Sequence, residues 1–146
     1  MLRNRLRPGA VMAGVLVLAL LGVGIGVWFA REARWQGALY CIERPGMLWK
    51  DVAAVPDIAQ PECPSSRSYR QEVRAGESRV EQYRLPGWQP RALVPLLGQG
   101  GYRQITDEDI GPGNYAAFLG RAGVPELQYL AAQEGDTTLI TLSGRP

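Results

Sequence analysis

ELQYLAAQEGDTTLITLS, residues 126–143, decides the fold of this chain. Leu127, Tyr129 and Ala131 alternate along its first half. In the second half either Leu139 with Thr141 or Ile140 with Leu142 supplies the inward face. Alternation with period two marks a half-buried strand. Glu134-Gly135-Asp136 between the halves makes the turn. The stretch therefore predicts an antiparallel hairpin over Glu126–Gln133 and Thr137–Ser143.

Outward from the hairpin the chain reads as more short strands around one or two helices. Tyr115–Leu119 is a strand, preceded by Gly111-Pro112-Gly113 and an acidic loop, Asp107-Glu108-Asp109. Tyr102–Thr106 is a strand. Arg91–Gln99 is a helix that buries Leu93, Leu96 and Leu97, is kinked or restarted at Pro95, and ends at Gly100-Gly101. Tyr69–Arg74 and Arg79–Leu85 read as a hairpin about Ala75–Ser78. Its charges alternate in sign, Arg70, Glu72, Arg74 and then Arg79, Glu81, Arg84, as cross-strand salt links on an exposed face would require. Gly76 counts against one longer helix there. Asp57–Ser68 is a loop, Met47–Val55 a short helix stopped by Pro56, and Ala38–Glu43 a strand ended by Pro45-Gly46. The expected fold class is α+β, with a small, mostly antiparallel sheet domain.

The N-terminal side differs in kind. Gly9–Ala30 reads GAVMAGVLVLALLGVGIGVWFA, 22 residues without a charge or a polar stripe. As a helix it is roughly 33 Å long, enough to cross a hydrocarbon core of about 30 Å. Arg3, Arg5 and Arg7 precede it, and Arg31 and Arg34 follow with Glu32 between them. That balance places the N-terminus in the cytoplasm and the remainder outside the cytoplasmic membrane. A cleaved signal peptide has a shorter apolar region and a small-x-small site. Cleavage after Ala30 or Ala33 would put Trp28 or Arg31 where a small residue is needed, so a retained anchor is expected. The expected organisation is a basic tail over 1–8, a transmembrane helix over 9–30 and an exported domain over 31–146. Ala19, Gly22, Gly26 and Ala30 share one helix face, and Gly22 and Gly26 form GxxxG, which lets two helix backbones approach.

Composition excludes several chemistries. The 146 residues include no histidine, so Ser-His-Asp and Cys-His catalysis, histidine-ligated zinc and histidine-held haem are excluded. Beyond Arg7 the charges nearly balance, thirteen basic against fourteen acidic, which gives no footprint for nucleic acid. Cys41 and Cys63 are the only cysteines and, once exported, form a structural disulfide. Their spacing is not the C-x-x-C of a redox centre. Asp107, Glu108 and Asp109 are the one concentration of oxygen ligands, but Phe118 stands where an EF-hand would close with glutamate. Trp88, beside Pro86-Gly87, and the acidic cluster are the candidate ligand or partner surface. No cofactor and no metal are expected.

The expectation that survives is a membrane-anchored extracytoplasmic binding or scaffold module. Its partners are the lipid bilayer, another envelope protein and a second copy through the transmembrane helix. The sheet edges are open to strand addition. A histidine-free carboxylate hydrolase and a secreted ligand-binding domain are the alternatives.

Overall fold

A computed structural model describes residues 8–146. Arg3, Arg5 and Arg7 lie outside the described residues. The chain divides into an N-terminal helical unit ending at Gly37 and a compact unit, Ala38–Pro146. The first unit is one helix, α1, Pro8–Gln36. Within it Gly14–Gln36 is long and apolar enough to cross a membrane, and its apolar window has no buried residue.

The second unit is a small antiparallel sheet domain with few helices. Its elements are β1 (Met47–Leu48), β2 (Ala53–Ala54), β3 (Gln60–Glu62), α2 (Arg67–Ala75), β4 (Arg79–Pro86), α3 (Val94–Gln99), β5 (Arg103–Asp109), β6 (Asn114–Gly120), β7 (Leu127–Glu134) and β8 (Thr137–Gly144). Strands β3 to β8 form one six-stranded sheet in the order β3-β4-β8-β7-β6-β5, every pair antiparallel. The pairing of β7 with β8 is as expected, with Glu134 opposite Thr137. Gly135 takes φ +60°, the left-handed value that the first position of such a two-residue turn needs. The register resolves the open choice on β8: Thr138, Ile140 and Leu142 face inward.

One face of the sheet carries the core. Tyr83 and Leu85, Tyr115, Ala117 and Leu119, Leu127, Tyr129 and Ala131, and Ile140 and Leu142 meet Leu48, Leu93, Leu97 and Tyr102 there. Tyr115 and Tyr129 pack edge to face, ring centroids 6.0 Å apart. Buried Thr138 fixes the turn after β4. Its hydroxyl donates to the Gly87 carbonyl at 2.6 Å and accepts from the Gln89 amide at 2.7 Å. Val80, on the opposite face of β4, and Tyr40, Cys41 and Ile42 are buried outside the main core.

The structure departs from six of these expectations. Ala38–Glu43 is turn, not strand. Its apolar residues are held by tertiary contacts: the Tyr40 hydroxyl donates to the Pro64 carbonyl at 2.8 Å, Arg70 lies 4.2 Å over the Tyr40 ring, and Cys41 is covalently bound to Cys63. Met47–Val55 is the β1–β2 hairpin, not a helix, because Trp49 and Lys50 are drawn into left-handed conformations by a carboxylate described below. The loop expected over Asp57–Ser68 contains β3 and the start of α2.

Tyr69–Arg74 is helical. Gly76, φ +71°, closes α2: its amide bonds the Val73 carbonyl, and the Glu77 amide bonds Glu72. This paired closure is a Schellman motif, so the glycine that argued against a longer helix ends a short one. The segment is therefore not the first strand of a hairpin with β4. Finally, Asp107-Glu108-Asp109 is the end of β5, not a loop, because pairing with Ala117, Ala116 and Tyr115 carries the strand through it. The helix expected over Arg91–Gln99 is shortened to α3, with Pro95 in its first turn, where a missing amide hydrogen costs nothing.

The disulfide closes a segment of sequence separation 22. Replacing both cysteines, Cys41→Ser with Cys63→Ser, is expected to lower stability by about 3 kcal/mol through the freed loop. The check is a lower denaturant midpoint. An unchanged midpoint would mean that the Tyr40 contacts order the segment alone.

Candidate functional site

The strand β4 puts two charges in an unexpected place. Period two places Arg79 and Glu81 on the same face as Tyr83 and Leu85, which are core residues. Glu81 is 1% exposed and Arg79 9%. A buried carboxylate needs partners, and Glu81 has four. It accepts from the Trp49 amide at 2.6 Å, the Lys50 amide at 3.2 Å, the Tyr83 hydroxyl at 2.7 Å and Arg79 Nη2 at 3.0 Å. Burial and the adjacent Glu81 charge hold the Tyr83 phenol well above its ordinary pKa, so it remains a donor.

The β1–β2 tip is shaped by this carboxylate. Trp49 and Lys50 take φ +45° and +74°, the only two described non-glycine residues with positive φ. Each costs about 1–3 kcal/mol and persists only where surroundings enforce it. Two successive left-handed residues turn their amides toward one point, an anion-binding concavity, and Glu81 occupies it. Such amide bonds to an ionised acceptor are the strong kind and offset the strain.

Above this carboxylate lies a cleft of about 160 Å³. Its walls include Trp49, Lys50 and Asp51 from the hairpin tip, Arg79 from the start of β4, Tyr102 before β5, Arg121 after β6 and Arg145 after β8. The register shows why they meet. Arg79 pairs with Gly144, Gly144 with Leu127, and Arg103 with Gly120, so all of these strand ends lie at one end of the sheet. Gly144 permits the approach, since a Cβ there would lie 3.3 Å from Trp49 Cζ2. Gly100 admits Val52, whose side chain a Cβ would strike. The Trp49 indole donates to the Tyr102 hydroxyl at 3.1 Å. Arg79 lies 5.1 Å over the Trp49 ring and Arg121 4.9 Å over the Tyr102 ring. Arg121 is further held by its bond to the Gly100 carbonyl at 3.1 Å. Arg79 Nη1 reaches Glu43 at 3.1 Å, but its buried Nε has no partner among the described residues.

The residues singled out from sequence lie elsewhere. Cys41 and Cys63 form the disulfide. Trp88 is half-exposed in the turn after β4, at the opposite sheet end from the cleft. Asp107, Glu108 and Asp109 lie on the edge strand β5, toward that same opposite end. Alternation sends Glu108 to one face and the two aspartates to the other, so the three do not converge. Asp107 is paired with Arg91 at 2.9 Å. Among the described residues no group of three histidine, cysteine or acidic side chains could hold a metal.

On α1, Ala19, Gly22, Gly26 and Ala30 are exposed, and a Cβ added at Gly22 or Gly26 would meet nothing within 4 Å. Val17, Leu20, Leu21, Gly24, Ile25 and Trp28 line a shallow groove of about 440 Å³. At roughly 100° per residue the two sets point in opposite directions.

The sequence does not announce the cleft, because Arg79 and Glu81 read as members of a charge ladder on an exposed face. The signal was nonetheless present: once Tyr83 and Leu85 are assigned to the core, alternation commits Arg79 and Glu81 to it as well. No family model, no curated protein and no solved structure matches this chain.

Proposed function

We propose that the chain is a single-pass protein of the cytoplasmic membrane, with its N-terminus in the cytoplasm and its disulfide-bonded domain outside, where the domain binds another envelope protein. The observation that carries this reading is the unburied apolar surface of Gly14–Gln36. A helix of this kind removes its side chains from water by entering a bilayer. The small-residue face of Ala19, Gly22, Gly26 and Ala30 is then available to a second helix, from a partner or another copy, while the bulkier face meets lipid.

For the domain, the supporting feature is the β5 edge. All seven residues of β5 are exposed, and among the described residues no strand pairs its outer side. The other edge, β3, is three residues long and contains Pro61, which blunts it. A shift in register between Gln104 and Thr106 and three successive acids discourage β5 from pairing with its own copy. The same acids favour an extended partner segment carrying basic residues.

The test places a photocrosslinking residue at Gln104 or Thr106 of the full chain in native membranes. The expected result is one discrete adduct from both positions and none from Gln71 on α2. The adduct disappears with Glu108→Lys plus Asp109→Lys. No adduct, an equal yield from Gln71, or indifference to charge reversal overturns the edge as the binding surface.

A further inference from the structure

The cleft at the other end of the sheet has chemistry that partner binding at β5 leaves unused. Four of its side chains, Lys50, Arg79, Arg121 and Arg145, are cationic, against Asp51 in its wall, Glu81 beneath it and Glu43 paired with Arg79. Lys50 and Arg145 are exposed and make no ion pair among the described residues. Arg79 is nine-tenths buried, with Nη1 and Nη2 held by Glu43 and Glu81 and an enclosed Nε that has no partner among the described residues. Arg79 and Arg121 are each stacked on an aromatic ring, which holds their planes in place. The strained Trp49-Lys50 turn fixes the floor.

We infer that this cleft binds a phosphate-type oxyanion. The excess of one positive charge favours an anion, and a phosphate monoester carries about −1.5 to −2 near neutral pH. Planar guanidinium groups suit its oxygens, and Lys50 adds a point charge. A volume of about 160 Å³ admits such a head group and little more. The phosphate can be carried by a soluble compound or by a lipid headgroup. None of the cleft residues belongs to β5, so this inference and the edge reading fail separately.

The test uses the full chain in phosphatidylcholine nanodiscs, with its four tryptophan indoles labelled with nitrogen-15. The Trp49 signal is assigned by losing the other three in turn, through Trp28→Phe, Trp35→Phe and Trp88→Phe. Inorganic phosphate is expected to move the Trp49 indole saturably while the other three stay, and sodium chloride at equal ionic strength is expected not to. Arg145→Gln, at an exposed position outside the strands, weakens binding at least about tenfold, as does Arg121→Gln. A Trp49 shift in discs of mixed phosphatidylcholine and phosphatidic acid, without added phosphate, identifies a headgroup as the source. A shift with inorganic phosphate alone identifies a soluble one. The inference is overturned if neither probe moves Trp49, if chloride reproduces the shift, if all four indoles move together, or if Arg145→Gln binds as tightly as the parent.

Discussion

Glu81→Ala is expected to cost about 3–5 kcal/mol, the range for breaking a buried ion pair from one side. The substitution leaves Arg79 charged and 9% exposed, with Glu43 its one remaining counter-ion among the described residues. It also leaves the Trp49 and Lys50 amides and the Tyr83 hydroxyl without their acceptor. The β1–β2 tip then has no reason to hold two left-handed residues, and Leu48 and Trp49 lose their place in the core. In thermal unfolding the midpoint should fall by at least about 12 °C, taking roughly 4 °C per kcal/mol for a domain of this size. Glu81→Gln keeps an oxygen for the amides and should lose less. A fall under about 1 kcal/mol for Glu81→Ala would mean that water substitutes for the carboxylate and that the turn is stable without it.

The second large effect concerns the anchor. Leu20→Arg with Leu21→Arg puts two charges in the middle of the apolar helix, at positions exposed in α1. Each arginine at a helix centre costs about 2.5–3.5 kcal/mol on insertion, so the pair costs roughly 5–7 kcal/mol. The parent chain should stay with membranes in alkaline carbonate, as should Leu20→Ala with Leu21→Ala. The arginine pair should move the protein to the soluble fraction. Equal retention of the arginine variant would show that something other than the helix holds the protein to the membrane. Extraction of the parent would remove the anchor altogether.

The two effects differ in how far the sequence foretold them. The anchor segment is a long run whose property, absence of charge, is shared by every residue in it. The Glu81 network joins β4 to the hairpin tip 31 and 32 positions earlier. The alternating pattern predicts the strand containing Arg79 and Glu81, but it reads their charges as solvent-facing. Alternation fixes which residues share a face but not which face is buried, until the neighbouring strands are in place. The acidic trio was likewise visible as a cluster, and only the pairing of β5 with β6 shows that its side chains split between two faces.

What the sequence determined by itself is the apolar helix, the β7–β8 hairpin and the antiparallel character of the sheet. These signals are local and repeated: an uncharged run, or a period-two pattern closed by a glycine turn, so each residue adds to the same conclusion. Tertiary structure alone decided that Arg67–Ala75 is helical, that Met47–Val55 is a hairpin, and that Lys50, Arg79, Arg121 and Arg145 share one cleft. Short segments differ in intrinsic preference by only about 1 kcal/mol per residue or less. A buried carboxylate with four partners outweighs such differences, and two of them, the Trp49 and Lys50 amides, come from a hairpin that only the folded domain brings to β4.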